Sequence, residues 1–264
     1  MHPRLFQFGH IAIPTYGALS GLALIAALAA AMHFARRLVL DPNKIWNLSL
    51  IGILTTLIGA RLLVIVAHFS VFREHPFWIL GLTGLHDHWI APVSVLLGVA
   101  AAILYALAEG LPLLRVMDCL APAAALAVAI NRIGAFVAGI DFGAPARLPW
   151  SVVYTSRIAA LWYRTPLGLP LHPVQLYDAA VALIVFALLI WWIPRRRQDG
   201  ELAGAWLFLS GLAAFFLAFN RGESSHAGLS QPIAVVAVLA GAALWLDRGS
   251  KARGYTGSDD SPFA

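Results

Sequence analysis

Seven apolar stretches, each about as long as a membrane-spanning helix, constrain the fold more than any other feature of this sequence. A hydrocarbon layer of about 30 Å requires about 20 apolar residues in a helix, and each stretch is close to that length. The sequence therefore predicts an all-α integral membrane protein, a bundle of about seven transmembrane helices. The predicted spans are residues 12–34, 45–69, 90–111, 116–139, 173–193, 201–220 and 229–246.

The composition agrees with a membrane setting. Hydrophobic residues make up 60% of the chain and charged residues 12%, whereas soluble domains contain about 25% charged residues. Residues 1–248 are predicted to form a single transmembrane domain and residues 249–264 a disordered cytoplasmic tail. The polar start of the chain, MHPRLFQFGH, lacks the pattern of a cleavable signal peptide, so the first span is expected to remain in the mature protein.

The distribution of Lys and Arg predicts the orientation of the bundle, because positive charge is retained on the cytoplasmic side. One side collects ten of these residues and the other side six. The N-terminus is therefore predicted outside and the C-terminus inside. The same bias, with contact to anionic lipid headgroups, accounts for the pI of 9.8 without a nucleic-acid partner. The ten residues are Arg36, Arg37, Lys44, Arg115, Arg195, Arg196, Arg197, Arg248, Lys251 and Arg253.

Two connections on the predicted outer side are long for a helical bundle. Residues 70–89 and 140–172 are rich in Trp, Tyr, Phe, Pro and Gly. This composition is typical of chain that lies along a membrane interface. Long connections also favour a functional role, so both segments are candidates for the active part of the molecule.

Two arginines lie within predicted spans. Arg132 lies deep in the fourth span, and Arg61 lies in the second. Inserting an arginine at the centre of a spanning helix costs about 2.5–3.5 kcal/mol of free energy. A guanidinium keeps its charge on burial and presents a planar fork of donors that suits a phosphate, so the pair indicates a site for an anionic ligand. The alternatives are a snorkelling side chain or a structural ion pair with Asp118 or Asp141.

Several short motifs lie along the chain, most of them within or at the start of predicted spans. Tyr16-Gly17 opens the first, Gly59-Ala60-Arg61 lies in the second, and Arg132-Ile133-Gly134 lies in the fourth. The others are Asp118 with Ala121-Pro122, Gly143, the element from His172 to Tyr177 that continues into Asp178, and Gln231. At these residues the chain resembles the prolipoprotein diacylglyceryl transferase family. Its members are membrane enzymes that move a diacylglyceryl group from phosphatidylglycerol to the lipobox cysteine of a lipoprotein precursor.

The chain departs from the family pattern at several positions. Ala135 stands where the family signature has Asn, and Ile140 stands where it commonly has Glu, with Asp141 beside it as a candidate replacement. In the sixth span, Ala214 and Ala218 stand where the family usually has Arg and Glu. Arg221, at the outer end of this span, is the arginine that remains. The resemblance therefore identifies a divergent member.

His86 and His88, in the segment 70–89, are the candidate bases. Transfer to sulfur requires a thiolate, a positioned C–O bond and a stabilised phosphate leaving group. An imidazole with a pKa of about 6.5 suits proton abstraction at neutral pH, and Asp87 is able to orient either ring. The family's histidine matches either residue, and the alternative is a polar loop without chemistry. No metal site and no cofactor are predicted.

The resemblance implies the remaining site residues. Tyr16 is assigned with the two histidines to catalysis, and its alternative role is that of an interfacial aromatic residue. Tyr177 has the same alternative, and His172 is expected to anchor the start of the fifth span beside Pro173. The predicted substrate-binding residues are Arg132, Arg61, Arg221, Asp141, Gly134, Gly143, His172, Gln175 and Tyr177.

The resemblance implies a phosphatidylglycerol–prolipoprotein diacylglyceryl transferase in the bacterial inner membrane, spanning it several times. Its expected partners are phosphatidylglycerol or another anionic phospholipid and a lipoprotein precursor with a lipobox cysteine. The alternative is a non-catalytic or differently specific phospholipid-binding membrane protein with the family fold. A transporter is a weaker hypothesis, because the sequence shows no paired, symmetrically interrupted spans.

Overall fold

The computed structural model of the chain describes residues 2–8, 11–75, 89–222 and 227–254. The chain divides into two compact units. The first unit contains Met1–Phe34 and Met117–Ala264, and the second contains Ala35–Val116.

Helices form the main elements of both units. Among the described residues, six of them are long and apolar enough to cross a membrane, which confirms the prediction of a helical, multi-pass membrane protein. The predicted seventh span falls within α9, whose apolar part is the shorter run Gln231–Trp245, and it stays a prediction. The helices are α1 Thr15–Arg37, α2 Pro42–Ala67, α3 Phe69–Glu74, α4 Ile90–Ala108, α5 Leu113–Ala138, α6 Arg157–Tyr163, α7 Val174–Trp192, α8 Glu201–Ala218 and α9 Ala227–Gly254.

The core of the first unit is built from small residues on α5 and larger aliphatic residues on α7 and α8. Ala121 and Ala125 pack with Val185, Leu189 and Leu202 in one buried cluster. Small side chains allow the helix backbones to approach closely, which is how membrane helices gain contact in the absence of a hydrophobic driving force. This packing joins the first half of α5, the last turns of α7 and the start of α8.

The start of α8 is capped from α5. Gly200, the residue before the helix, has no side chain to cap it, and the buried carboxylate of Asp118 takes this role. Asp118 Oδ2 accepts a hydrogen bond from Gly200 N at 2.7 Å, and Oδ1 accepts one from Ala203 N at 2.9 Å. Arg196 Nη1 lies 3.4 Å from Oδ2. Asp118 is therefore a structural residue that fixes α8 to α5, since free helix N–H groups bind an anion well.

In the second unit, α2 and α4 pack at close range. A Cβ on Gly98 of α4 would lie 2.5 Å from the carbonyl oxygen of Gly52 on α2, so only glycine fits there. Near the start of α2, Lys44 Nζ pairs with Glu109 Oε2 at 2.9 Å. Asp41 caps the same helix by accepting a hydrogen bond from Asn43 N.

Short strands interrupt the helical pattern in the first unit, and the sequence did not predict them. Strands β1 Arg4–Phe8 and β2 Ile11–Pro14 form an antiparallel hairpin before α1, and β3 Val152–Val153 pairs with β4 Pro170–Leu171 inside the segment 140–172. The hairpin is tied to the end of α5 by His2 N, which donates to Val137 O at 3.2 Å.

The C-terminal part of α9 extends into the predicted tail. The helix continues to Gly254, and residues 255–264 lie outside the described residues. The predicted division into a transmembrane domain, residues 1–248, and a disordered tail, residues 249–264, stays a prediction.

Candidate functional site

Four charged side chains form one connected group in the first unit. Arg132 Nη1 lies 2.9 Å from Asp141 Oδ2, and Arg132 Nε lies 3.3 Å from Asp178 Oδ2. The same Asp178 oxygen accepts a hydrogen bond from Arg221 Nη2 at 3.0 Å. Asp178 is the most enclosed member, with 12% of its side chain exposed, and Asp141 the least, with 48%. Arg132, Asp141, Asp178 and Arg221 are called the charge cluster from here on.

The backbone around Gly143 positions the cluster. Residues 142–144 run beside residues 220–222, with Ala144 N donating to Asn220 O at 2.8 Å and a β-bridge between Gly143 and Arg221. A Cβ on Gly143 would lie 2.7 Å from the Cβ of His172, so a side chain has no room. This pairing places Arg221, just beyond α8, beside the residues that follow α5.

The start of α7 is fixed by a buried glutamine. Gln175 Nε2 donates to Ile140 O at 2.7 Å and to the hydroxyl oxygen of Tyr154 at 3.1 Å. Both side chains are buried, and burial raises the pKa of Tyr154, an effect that the Gln175 hydrogen bond partly opposes. Gln175 therefore ties the first turn of α7, and with it Asp178, to the exit of α5. Its role in this geometry is positional.

His172 and Tyr177 lie next to each other at the entry to α7. Their rings meet edge to face with 6.3 Å between centroids. The Tyr177 hydroxyl oxygen accepts a hydrogen bond from the exposed Trp150 Nε1 at 2.6 Å. An exposed tryptophan that is hydrogen-bonded to a tyrosine is an arrangement that suits a membrane interface, and the interfacial location of the segment 140–172 stays a prediction.

Tyr16 lies on α1 and contacts the residue before Arg132. Its hydroxyl donates to Asn131 Oδ1 at 3.4 Å, and Asn131 Nδ2 donates to Ser20 Oγ at 2.9 Å. One turn further along α5, a Cβ on Gly134 would lie 2.8 Å from Leu19 Cβ. Tyr16 and Gly134 therefore hold α1 against α5, and neither has a described hydrogen bond to the charge cluster.

Arg61 belongs to the second unit. Its guanidinium carbon lies 5.5 Å from the centroid of the buried Phe72 ring, within the range of a cation–π contact. The carboxylates considered as its structural partners have other arginine partners, Arg196 for Asp118 and Arg132 for Asp141. The predicted bases His86 and His88, and the Asp87 between them, lie outside the described residues.

The charge cluster has the chemistry of an anion site. A guanidinium carries five N–H donors, and the ion pairs involve Nε and Nη1 of Arg132 and Nη2 of Arg221. Each guanidinium has more N–H donors than the one or two nitrogens named in these ion pairs. Two arginines that share one carboxylate can therefore present further donors to a phosphate.

A comparison with known proteins identifies the family. The family model described as prolipoprotein diacylglyceryl transferase matches residues 3–246. The chain belongs to the prolipoprotein diacylglyceryl transferase family. Proteins of this family are transferases, and the match includes every residue of the charge cluster, which is thus part of a diacylglyceryl transferase fold.

Individual relatives carry the same name. The phosphatidylglycerol–prolipoprotein diacylglyceryl transferase of Idiomarina loihiensis is 32% identical over 236 residues, 86% of this chain and 83% of that protein. The protein of that name from Clostridium tetani is 26% identical over 223 residues, 84% of this chain and 86% of the relative. The one from Bordetella bronchiseptica is 29% identical over 263 residues, 92% of this chain and 94% of the relative.

Reasoning from the sequence missed the central carboxylate of this diacylglyceryl transferase family member. Asp178 ends the element that begins at His172, and no role was assigned to it. The signal was present, because an acidic residue inside an apolar span is costly and marks a polar partner nearby. Asn131, which joins Tyr16 to Ser20, was also assigned no role, because attention fell on the charged residue beside it, Arg132.

Proposed function

We propose that the protein is a phosphatidylglycerol–prolipoprotein diacylglyceryl transferase. The observation that carries the proposal is the joint contact of Arg132 and Arg221 with one carboxylate, Asp178, in a chain matched to the family over residues 3–246. In the proposal these two guanidiniums bind the phosphate of phosphatidylglycerol. Arg61, in the second unit, is kept as a further phosphate-binding residue on the strength of the resemblance.

The reaction explains why two cations are useful. The acceptor thiol loses its proton to a base, and its sulfur attacks the glyceryl carbon that carries the phosphate. A C–S bond forms, the C–O bond breaks, and the electron pair of that bond goes to the phosphate oxygen, so glycerol phosphate leaves with additional negative charge. Guanidiniums already in place at that oxygen stabilise the developing charge without reorganisation.

The remaining residues have supporting roles in this proposal. His88 or His86 accepts the proton of the thiol, and Tyr16 lies at the same end of the first unit through its contact with Asn131. Gly134, Gly143, His172, Gln175 and Tyr177 shape the backbone and the interface around the charge cluster. The acceptor is a cysteine in the lipobox of a lipoprotein precursor.

The proposal includes a topology and a location. Seven spans, with the N-terminus outside and the C-terminus inside the bacterial inner membrane, would put the charge cluster at the outer leaflet. The end of α5 that carries Arg132, and Arg221 just beyond α8, would then lie on the side with fewer basic residues. Lipid would enter from the bilayer and the precursor from the outer side.

The first test is complementation of a strain depleted of its own diacylglyceryl transferase, scored by the mobility shift of a lipoprotein precursor. The wild-type protein is expected to convert the precursor. Arg132→Ala and Arg221→Ala are expected to reduce conversion by about 100-fold, because removing one donor to a developing oxyanion typically costs that much. Arg132→Lys keeps the charge without the fork and should restore part of the activity.

Arg147→Ala is the matched control, because Arg147 is an exposed arginine in the segment 140–172 and is not a member of the charge cluster. It should leave conversion unchanged. All proteins must be present in the membrane at equal amounts. Full activity in Arg132→Ala would refute the proposed role of that residue, and no conversion by well-inserted wild-type protein would refute the transferase proposal.

One observation favours a second candidate function, a phospholipid-binding protein without turnover. Alanines at positions 214 and 218 of α8 replace the Arg and Glu expected from the resemblance, so this helix contributes no charge there. Purified protein with phosphatidylglycerol and a lipobox peptide separates the two functions. A transferase consumes the lipid, whereas the alternative binds it and leaves it intact.

A further inference from the structure

The charge cluster contains two arginines and two aspartates, so its net formal charge is zero. The two aspartates differ in their surroundings. Asp178 is largely enclosed, lies on α7 and contacts both arginines through one oxygen. Asp141 is half exposed, lies outside any helix or strand, and contacts Arg132 alone among the described ion pairs. Asp178 is a fixed partner, whereas Asp141 can turn into solvent with little loss.

We propose that Asp141 occupies the phosphate position on Arg132 in the ligand-free protein and leaves it when the phosphodiester of a lipid headgroup binds. This inference rests on the proposed function, because it names what competes for the same arginine. A carboxylate and a phosphodiester present similar paired oxygens to a guanidinium, and each carries one negative charge. The exchange therefore conserves the charge of the site.

Charge balance supports the exchange. Without Asp141, the two guanidiniums and Asp178 carry a net charge of +1, which matches one phosphodiester monoanion. If Asp141 stayed on Arg132 during binding, the lipid phosphate would enter a site of zero net charge and meet a carboxylate on the same guanidinium. Like charges that share a poorly solvated site disfavour each other.

The exposure of Asp141 allows its side chain to leave Arg132. The residue has a φ of 53°, in the left-handed region, and lies three residues beyond Ala138, where α5 ends. Its exposed side chain needs only a rotation toward solvent to release Arg132. The loop itself stays anchored one residue later, through Phe142 O, which accepts from Gly222 N at 3.3 Å.

The test compares lipid binding by Asp141→Asn and by the wild-type protein. The probe is dihexanoylphosphatidylglycerol, titrated calorimetrically into the full-length protein in detergent, with inorganic phosphate titrated separately. The asparagine has no charge to compete with the lipid, so the dissociation constant for the lipid should fall by about two- to fivefold, the scale of a half-exposed ion pair. The KM for phosphatidylglycerol should fall by a similar factor.

Two variants serve as controls. Asp141→Glu keeps the competing charge and should bind lipid like the wild type. Asp199→Asn removes a carboxylate from an Arg–Asp pair at the other end of α8, where Asp199 contacts Arg196 at 3.0 Å, and should also leave lipid binding unchanged. These controls separate a local exchange on Arg132 from a general effect of protein charge.

The outcomes are distinct from those of the transferase test. Unchanged or weaker lipid binding by Asp141→Asn in an enzyme that complements would overturn the exchange and leave the proposed function intact. Tighter lipid binding by Asp141→Asn, together with a wild-type protein that fails to complement, would support the exchange and refute the transferase activity. Tighter binding of inorganic phosphate by Asp141→Asn without tighter binding of the lipid would also overturn the proposal, because the competing ligand would then be a free anion.

Discussion

At the scale of single residues, Asp178 organises the candidate site. One of its oxygens accepts a hydrogen bond from Arg221 Nη2 and lies 3.3 Å from Arg132 Nε, on segments that are far apart in the sequence. A carboxylate that contacts two guanidiniums sets the distance between them and partly cancels their repulsion. The position of both arginines, and so the geometry of any bound phosphate, depends on this residue.

Asp178→Asn should lower kcat/KM for lipid transfer by about 10- to 100-fold. The amide lacks the negative charge that holds both arginines, so the guanidiniums are expected to move. A displacement of a substrate-binding group by about 1 Å lowers the rate by a factor of that order. Asp178→Glu, which keeps the charge on a longer side chain, should recover part of the loss. The measurement is steady-state kinetics with purified protein, and thermal unfolding in the same detergent shows whether the variant is folded. Wild-type kinetics in Asp178→Asn would contradict the assigned role.

At the scale of elements, the site depends on the pairing of two irregular segments, residues 142–144 and 220–222. Their hydrogen bonds join the exit of α5 to the exit of α8, and Gly143 lies in the middle of this pairing. A Cβ there would lie 2.7 Å from both His172 Cβ and Val174 Cγ2. These atoms belong to the entry of α7, so the three elements meet at one glycine.

Gly143→Ala is therefore expected to reduce both stability and activity. Overpacking of a close contact typically costs about 1–3 kcal/mol, and relief by a backbone shift would move Arg221 away from Asp178. Unfolding midpoints and kcat/KM measured on the same preparation test this prediction. Gly21→Ala is the matched control, because a Cβ at Gly21 in α1 meets nothing within 4 Å. Equal values for Gly143→Ala and the wild type would show that the pairing tolerates a side chain.

At the scale of the whole molecule, the sequence predicts the helices better than the site. Apolar length is a local property, and it predicted seven spans, of which six correspond to the long apolar helices among the described residues, while the seventh stays a prediction. The pairing of β3 with β4 and the cap of α8 were missed, because each depends on partners that are distant in the sequence. The β1–β2 hairpin was also missed, although its strands are neighbours in the sequence. Asp118 reaches the N–H of Gly200, 82 residues later. Asp178 was missed for the same reason, because its role depends on contacts with Arg132 and Arg221, which are distant in the sequence.

Orientation is the property of the whole molecule that follows most directly from charge, and the chain is suited to a labelling test. Its single cysteine, Cys119, is buried and donates to Ala31 O, so it should give little background with a maleimide reagent. Arg147 and Arg197 are exposed and lie on opposite sides of α7 in the sequence. Cysteines introduced at these two positions therefore report opposite faces of the membrane.

With the N-terminus outside, Arg147→Cys should react with a membrane-impermeant maleimide in intact spheroplasts, and Arg197→Cys should react only after the membrane is opened. The reason is the positive charge around Arg197, where three consecutive arginines, Arg195 to Arg197, are retained on the cytoplasmic side. The wild-type protein, with Cys119 alone, is the control for background. The reverse labelling pattern would overturn the orientation, and it would also move the charge cluster to the inner leaflet, out of reach of a precursor on the outer side.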